Sequence, residues 1–237
     1  MTHPGTAYGI GVGPGDPELV TLKALRLLQA APVVAYPAPD DGPSFARSIV
    51  AQWLRPEQRE IAIRVPMVAE RFPAQEVYDR AAAEIGTVLS AGRDVAILCQ
   101  GDPFFYGSFM YLFTRLADRF PVSIVPGVSS LTACAAAAGT PLAARSETLT
   151  VVPATLGEAE LERRLAVSEA AAIIKLGRNF EKVRAVLARL RLDGRARYVE
   201  RASLPNQRVL PLAEVATGSV PYFAMIVLPG TDGKAAP

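Results

Sequence analysis

Three short turns hold the residues of this chain best placed to do chemistry. They are Gly13-Pro14-Gly15-Asp16-Pro17, Gly101-Asp102-Pro103 and Gly127-Val128-Ser129-Ser130. Each follows an apolar, β-rich stretch. Glycine there admits positive φ or a close backbone approach, and proline stiffens what surrounds it. One such turn alone is an ordinary strand-to-helix connection. Three together, with carboxylates and two serines, point to a small molecule bound at the carboxyl ends of a parallel sheet.

The pattern also narrows which molecule. Gly9-x-Gly11-x-Gly13 fails the dinucleotide fingerprint, because Pro14 and Asp16 stand where a glycine is needed, and no Lys-Ser/Thr follows a glycine run as in a P-loop. A carboxylate at Asp16 disfavours a phosphate nest. A cofactor without phosphate suits these groups better. S-adenosylmethionine is one: backbone groups can hold its amino-acid end, and Asp or Ser its ribose hydroxyls.

Counting removes other chemistries. The 237 residues include one histidine, His3, and two cysteines far apart, Cys99 and Cys134. A protein-built metal site and a Ser-His-Asp triad therefore find no material, and the metal expectation is none. The chain carries 25 Lys+Arg against 23 Asp+Glu, a net charge of +2, too small for a nucleic-acid surface. No apolar run approaches the roughly 18 residues of a membrane helix, and no signal-peptide pattern opens the chain, which reads as cytoplasmic. The charge is unevenly spread. Residues 1–120 hold 11 basic and 13 acidic groups, and residues 121–237 hold 14 and 10. Arginine makes up 21 of the cations, and guanidinium forks suit carboxylates.

The elements that must position these turns alternate strand and helix, the mark of an α/β protein with a mostly parallel sheet. The patterning predicts strands over 8–12, 33–36, 60–65, 94–98 and 122–125, with helices over 19–29, 45–54, 74–90, 108–119 and 131–138. Leu19, Leu22, Leu25 and Leu28 are expected along one buried face, and the second strand is expected to stop at Pro37. After a polar linker at 145–148 come strands over 149–152, 172–176, 196–200 and 222–228, with helices near 159–166 and 180–190. The tail from Thr231 reads as soft. Two α/β lobes follow, 1–142 with a mostly parallel sheet and 143–237 with a mixed one.

Taken as a set, the turns resemble a known family. Gly13-Pro14-Gly15-Asp16-Pro17-Glu18-Leu19-Val20-Thr21-Leu22-Lys23-Ala24 is similar to the opening motif of the tetrapyrrole (corrin/porphyrin) methyltransferases. Gly101-Asp102-Pro103 with Tyr106-Gly107 resembles their second motif, and Val125-Pro126-Gly127-Val128-Ser129-Ser130 their third. Val34–Ala38, Phe105–Leu112, Tyr198–Ala202 and Gln207–Val215 are similar to the branch that methylates precorrin-2 at C-20 to give precorrin-3A in cobalamin biosynthesis.

The resemblance implies the tetrapyrrole methylase fold, a homodimer, and S-adenosylmethionine held in a cleft between the lobes. The cofactor positions are Pro14, Gln100, Gly101, Asp102, Phe105, Ser129, Ser130, Leu176 and Ala202. Gln100 and Ala202 depart from the family, which commonly has glycine at both. A substrate with eight carboxylates makes Arg145, Lys175, Arg178, Arg201 and Arg208 its candidate partners, with Arg47, Arg64 and Arg71 on the other side. Tyr36 and Tyr106 are candidates to line the macrocycle, while Tyr111 reads as packing. The macrocycle supplies its own carbon nucleophile, so the protein works by alignment, and Asp102 and Tyr106 are the candidates for a direct role. Rival readings are methylation of cobalt-precorrin-2, C-11 or C-17 methylation, methylation of uroporphyrinogen III, a Rossmann methyltransferase using Asp40 or Asp41, or a non-catalytic tetrapyrrole-binding module.

Overall fold

The computed structural model describes residues 3–65, 75–218 and 220–231. Contacts divide the chain into two compact units, Met1–Ser129 and Ser130–Pro237.

In the first unit, five strands form one wholly parallel sheet: β1 (Ala7–Gly11), β2 (Val33–Pro39), β3 (Arg59–Val65), β4 (Val95–Cys99) and β5 (Val122–Val125). Their order is β3-β2-β4-β1-β5. Helices α1 (Leu22–Ala30) and α2 (Phe45–Val50) cover one face, where Ala24, Leu28 and Ile49 pack on Ile10, Val34 and Leu98. Helices α3 (Gln75–Ser90) and α4 (Phe109–Leu116) cover the other, where Ile85, Phe109 and Leu112 meet Val33, Val95 and Ile97. The central strands β1, β2 and β4 are buried on both faces and read as near-continuous apolar runs, whereas the edge strand β3 alternates buried and exposed residues.

Two local expectations differ from the structure. The second strand does not stop at Pro37 but runs to Pro39, because beyond Ala35 it pairs with β3 alone. A missing N–H is tolerated where one side of the strand has no ladder partner. Nor does the first helix start at residue 19. Asp16 caps a separate 3-10 turn over Pro17–Leu19, and Thr21 Oγ1 accepts from Ala24 N at 3.2 Å to start α1 at Leu22. The buried pair is therefore Ala24 and Leu28, and Leu22 is 86% exposed.

In the second unit the sheet is mixed. Strands β6 (Leu149–Pro153), β7 (Ala170–Ile174), β8 (Arg197–Glu200), β9 (Arg208–Pro211) and β10 (Ala224–Leu228) lie in the order β6-β7-β10-β8-β9. Only β6 and β7 pair in parallel. Helices α6 (Glu158–Ala166) and α7 (Phe180–Arg189) pack on one face, with Leu161, Phe180 and Val183 against Ile173 and Ile226. Helix α5 (Ser130–Ala137) packs on the other, where Ala133 and Cys134 meet Ala172, Val199 and Met225. That packing places α5 with the second compact unit, which begins at Ser130. Strand β9 has no counterpart among the expected elements: it has four residues and only partial burial, which leaves little periodicity to read.

Candidate functional site

The site in the first unit follows from helix placement. After β1 the chain turns to α1 on one face, and after the adjacent β4 it turns to α4 on the opposite face. Such a divergence opens a crevice at the carboxyl ends of the two strands. The loops leaving β1, β4 and β5 hold the three turns singled out above.

They cross at van der Waals distance. Gly101 N donates to Gly13 O at 2.8 Å, and Gly13 N to Gly101 O at 3.4 Å. Both glycines adopt left-handed backbone, with φ of 67° and 79°. A Cβ on Gly127 would lie 2.2 Å from Gly101 O and 2.8 Å from Gly11 Cα, so the third turn has no room for a side chain there. Gly9 is needed for another reason: its missing Cβ makes way for the Phe109 ring. The glycine run therefore serves packing and the turn crossing.

Asp102 ties the turns together. Its Oδ1 accepts from Phe104 N at 2.9 Å within its own loop, and its Oδ2 accepts from Gly127 N at 3.0 Å in the third turn. Charge-assisted bonds to backbone amides rank among the stronger ones. Pro14 is buried, whereas Gln100, Asp102, Phe105 and Ser129 are half-buried around the crossing. Tyr106 is 47% exposed, in left-handed backbone with φ of 56°, its ring edge-on to Phe105 at 5.2 Å. Ser130 is exposed and begins α5 in the second unit.

The crossing fits a cofactor of the expected kind. A Cβ built on Gly101 meets nothing within 4 Å, so this left-handed residue borders open space while its neighbours are crowded. The polar groups at the crossing are backbone amides and carbonyls and the Asp102 carboxylate, which suit an amino-acid end and a ribose diol better than a phosphate.

In the second unit, strand direction gathers the candidates. Strands β7 and β8 both run antiparallel to β10, so their carboxyl ends share one edge of the sheet. Lys175, Leu176 and Arg178 follow β7, and Arg201 and Ala202 follow β8. Arg208 begins β9 opposite Glu200 on the same edge. Lys175 and Arg201 have φ of 59° and 51°, conformations costing roughly 1–2 kcal/mol that concentrate at functional sites. The Leu176 side chain is fully buried in the core, so only its backbone is available to a ligand. Ala202 is 7% exposed and packs against the α5 side of the sheet. Arg145 does not join this edge. It precedes β6, and its neighbour Leu142 accepts from Gly230 N just past β10, at the opposite end of the sheet.

The remaining candidates separate clearly. Arg47 makes a bidentate pair with Glu60 at 2.5 and 2.7 Å, and its Cζ lies 5.9 Å from the Tyr36 ring centroid. The hydrogen bond from Arg47 holds the Glu60 carboxyl below its ordinary range, while burial, then Glu60, pushes the Tyr36 hydroxyl up. Tyr36 and Arg47, with Ser44, Ser48 and Arg64, line a pocket at the carboxyl end of β2. Arg71 lies outside the described residues. Tyr111 packs against Tyr78, ring centroids 4.9 Å apart. Cys99 and Cys134 are buried thiols, and burial pushes Cys134 up to about 12. The residue the sequence reading passed over is Glu200, although Tyr198-Val199-Glu200-Arg201-Ala202 was singled out as a motif. It is 4% exposed and accepts from Tyr198, Arg201 and Arg208. A carboxylate closing a buried strand, directly before an arginine, was the available signal.

Comparisons with known proteins give the family and the fold. The family model for tetrapyrrole (corrin/porphyrin) methylases matches residues 6–216. A precorrin-2 C(20)-methyltransferase from a Sinorhizobium species is 43% identical, over 95% of this chain and 96% of that protein. The cobalamin biosynthesis protein CobIJ of Mycobacterium tuberculosis is 49% identical over 99% of this chain, which spans only about half (48%) of that longer relative. Among solved structures, the uroporphyrin-III C-methyltransferase of Thermus thermophilus complexed with S-adenosyl homocysteine has a TM-score of 0.70 and 29% identity, covering 95% of this chain and 92% of that one.

Proposed function

The chain belongs to the tetrapyrrole (corrin/porphyrin) methylase family, and on that premise we propose that it is an S-adenosylmethionine-dependent C-methyltransferase acting on precorrin-2 at C-20. The observation that carries this reading is the near-full-length likeness to the Sinorhizobium enzyme, together with the crossing of the three motif turns at the divergence of β1 and β4.

The residues divide the work in the following way. In the first unit, backbone groups of Gly13, Gly101 and Gln100, the flank of Pro14, the Phe105 ring and the Ser129 hydroxyl would hold the cofactor. When bound, S-adenosylmethionine supplies an electrophilic methyl group that an enamine-like carbon of the reduced macrocycle can take up by in-line displacement. Asp102 keeps the second and third turns in register, which fixes the direction from which that carbon must approach. Alignment of this kind is worth up to roughly 7–11 kcal/mol. Tyr106, exposed on its strained loop, offers a ring face to the macrocycle. Lys175, Arg178, Arg201 and Arg208 meet its carboxylates, and any proton lost afterwards can pass to water or to a substrate carboxylate.

Anaerobic incubation with precorrin-2 and methyl-labelled cofactor is expected to give a trimethylated product bearing label at C-20. Transfer to a later corrin intermediate or to uroporphyrinogen III, with none to precorrin-2, overturns the substrate assignment. The same reading has the enzyme act as a cytoplasmic homodimer, which sedimentation and cell fractionation test. Among the described residues, no helix is long and apolar enough to cross a membrane.

A further inference from the structure

We propose that Arg201 and Arg208 form a single subsite for one carboxylate of the macrocycle, and that buried Glu200 is the positioning residue that sets the pair. This rests on the functional reading above and singles out two of its cations.

Glu200 ends β8 with only 4% of its surface exposed. Its Oε2 accepts from the Tyr198 hydroxyl at 2.6 Å, and its Oε1 accepts from Arg201 Nη1 at 3.0 Å and Arg208 Nη1 at 3.3 Å. One oxygen thus anchors two guanidiniums, one from the turn after β8 and one from the directly paired position on β9. Among the described residues, the Nε and Nη2 donors of both arginines have no protein acceptor. Their side chains are 36% and 60% exposed. The cluster carries two positive charges and one negative, so it keeps a net +1 with several donors directed by a common anchor.

Stability alone explains this arrangement poorly. Burying a carboxylate costs several kcal/mol of desolvation, and ion-pair partners do little more than offset it. The local backbone adds to the cost, because Arg201 and Ser203 both adopt left-handed φ, 51° and 68°. Tyr198, fully buried and edge-on to Phe180 at 5.8 Å, holds the carboxylate from the far side. What the assembly achieves is a fixed separation of two guanidiniums, and forked donors of that kind recognise a carboxylate with geometric specificity.

Glu200→Gln separates positioning from charge. It keeps an acceptor for Tyr198 and nearly the same shape, but raises the local charge from +1 to +2. If charge alone mattered, the polyanionic substrate would bind more tightly and KM would fall. Positioning predicts the reverse: KM for precorrin-2 rises about tenfold, equivalent to about 1.4 kcal/mol. On this view kcat changes less than about threefold and the Kd for S-adenosylmethionine stays within about twofold. Arg208→Gln, on an exposed side chain, should raise KM similarly, and the double variant should raise it by less than the product of the two. An unchanged or lowered KM in either single variant overturns the proposal. Binding of uroporphyrin, an unreactive macrocycle with eight carboxylates, is measured by fluorescence quenching on the same proteins. It reads the subsite even if wild-type turnover of precorrin-2 fails, so the two failures are distinguishable: equal uroporphyrin affinity in wild type and variants overturns the subsite on its own.

Discussion

Replacing Asp102 by Asn tests whether the crossing of the turns is what binds the cofactor. The carboxylate accepts Phe104 N and Gly127 N on separate oxygens, at 2.9 and 3.0 Å. An amide has one oxygen, so one backbone N–H must face another donor. Losing a hydrogen bond to a charged acceptor costs roughly 1.5–3 kcal/mol, and the half-buried position favours the low end. The donor left without an acceptor adds to this, for a total of about 2 kcal/mol. For a chain of this size, each kcal/mol lowers Tm by roughly 2–4 °C, so thermal unfolding should shift down by about 4–8 °C. Titration calorimetry should show S-adenosylmethionine binding weakened about tenfold, because Gly127 is no longer held against Gly101. An unchanged Tm would refute the tie between the turns. A lowered Tm with unchanged affinity would show that the crossing is structural and the cofactor lies elsewhere. Weakened affinity at an unchanged Tm would assign the carboxylate to the ligand itself.

Two glycine substitutions should behave oppositely. Gly101→Ala places a methyl in open space at a φ of 67°, so stability should fall by only about 1–2 kcal/mol while cofactor affinity drops at least tenfold. Gly127→Ala drives a Cβ to 2.2 Å from Gly101 O and should cost about 3 kcal/mol, read as loss of folded protein in denaturant titrations. Both thiols should resist a thiol reagent at pH 8 in the native protein and react once it is unfolded, since burial raises both. The raised Cys134 also sets a sign. An unfolded thiol ionises near 9 and the folded one near 12, so this contribution to stability is intact below pH 9 and is lost progressively as pH rises from 9 towards 12. Denaturant midpoints measured across that range on wild type and Cys134→Ala check it, with the wild type showing the steeper decline.

Much of the architecture was legible because it is local. Apolar runs of four or five residues followed by glycine-bearing turns identify β1, β4 and β5 to within a residue or so, whatever they pack against. The glycines and prolines that mark the three turns are themselves the structural requirement. The structure departs from the sequence pattern where a partner distant in the chain, or a local cap, decided. Pro37 and Pro39 stay in β2 because only β3 pairs with that part of the strand, and Leu22 faces outward because two caps, Asp16 and Thr21, restart the helix.

The family, the α/β character and the identity of the turn residues are therefore properties of the sequence by itself, since they depend on residue type and short spacing. The tertiary structure alone decided what the polar groups do. Asp102 acts on Gly127, 25 residues away, and Glu200 gathers an arginine from the next turn and another from a strand that hardly registers as one. It also separated the cations. Arg201 and Arg208 share an edge because β8 and β9 pair in register, whereas Arg145 lies at the other end of the same sheet. Strand pairing and direction are set by long-range burial, and no spacing along the chain encodes which end of a sheet a charge will reach.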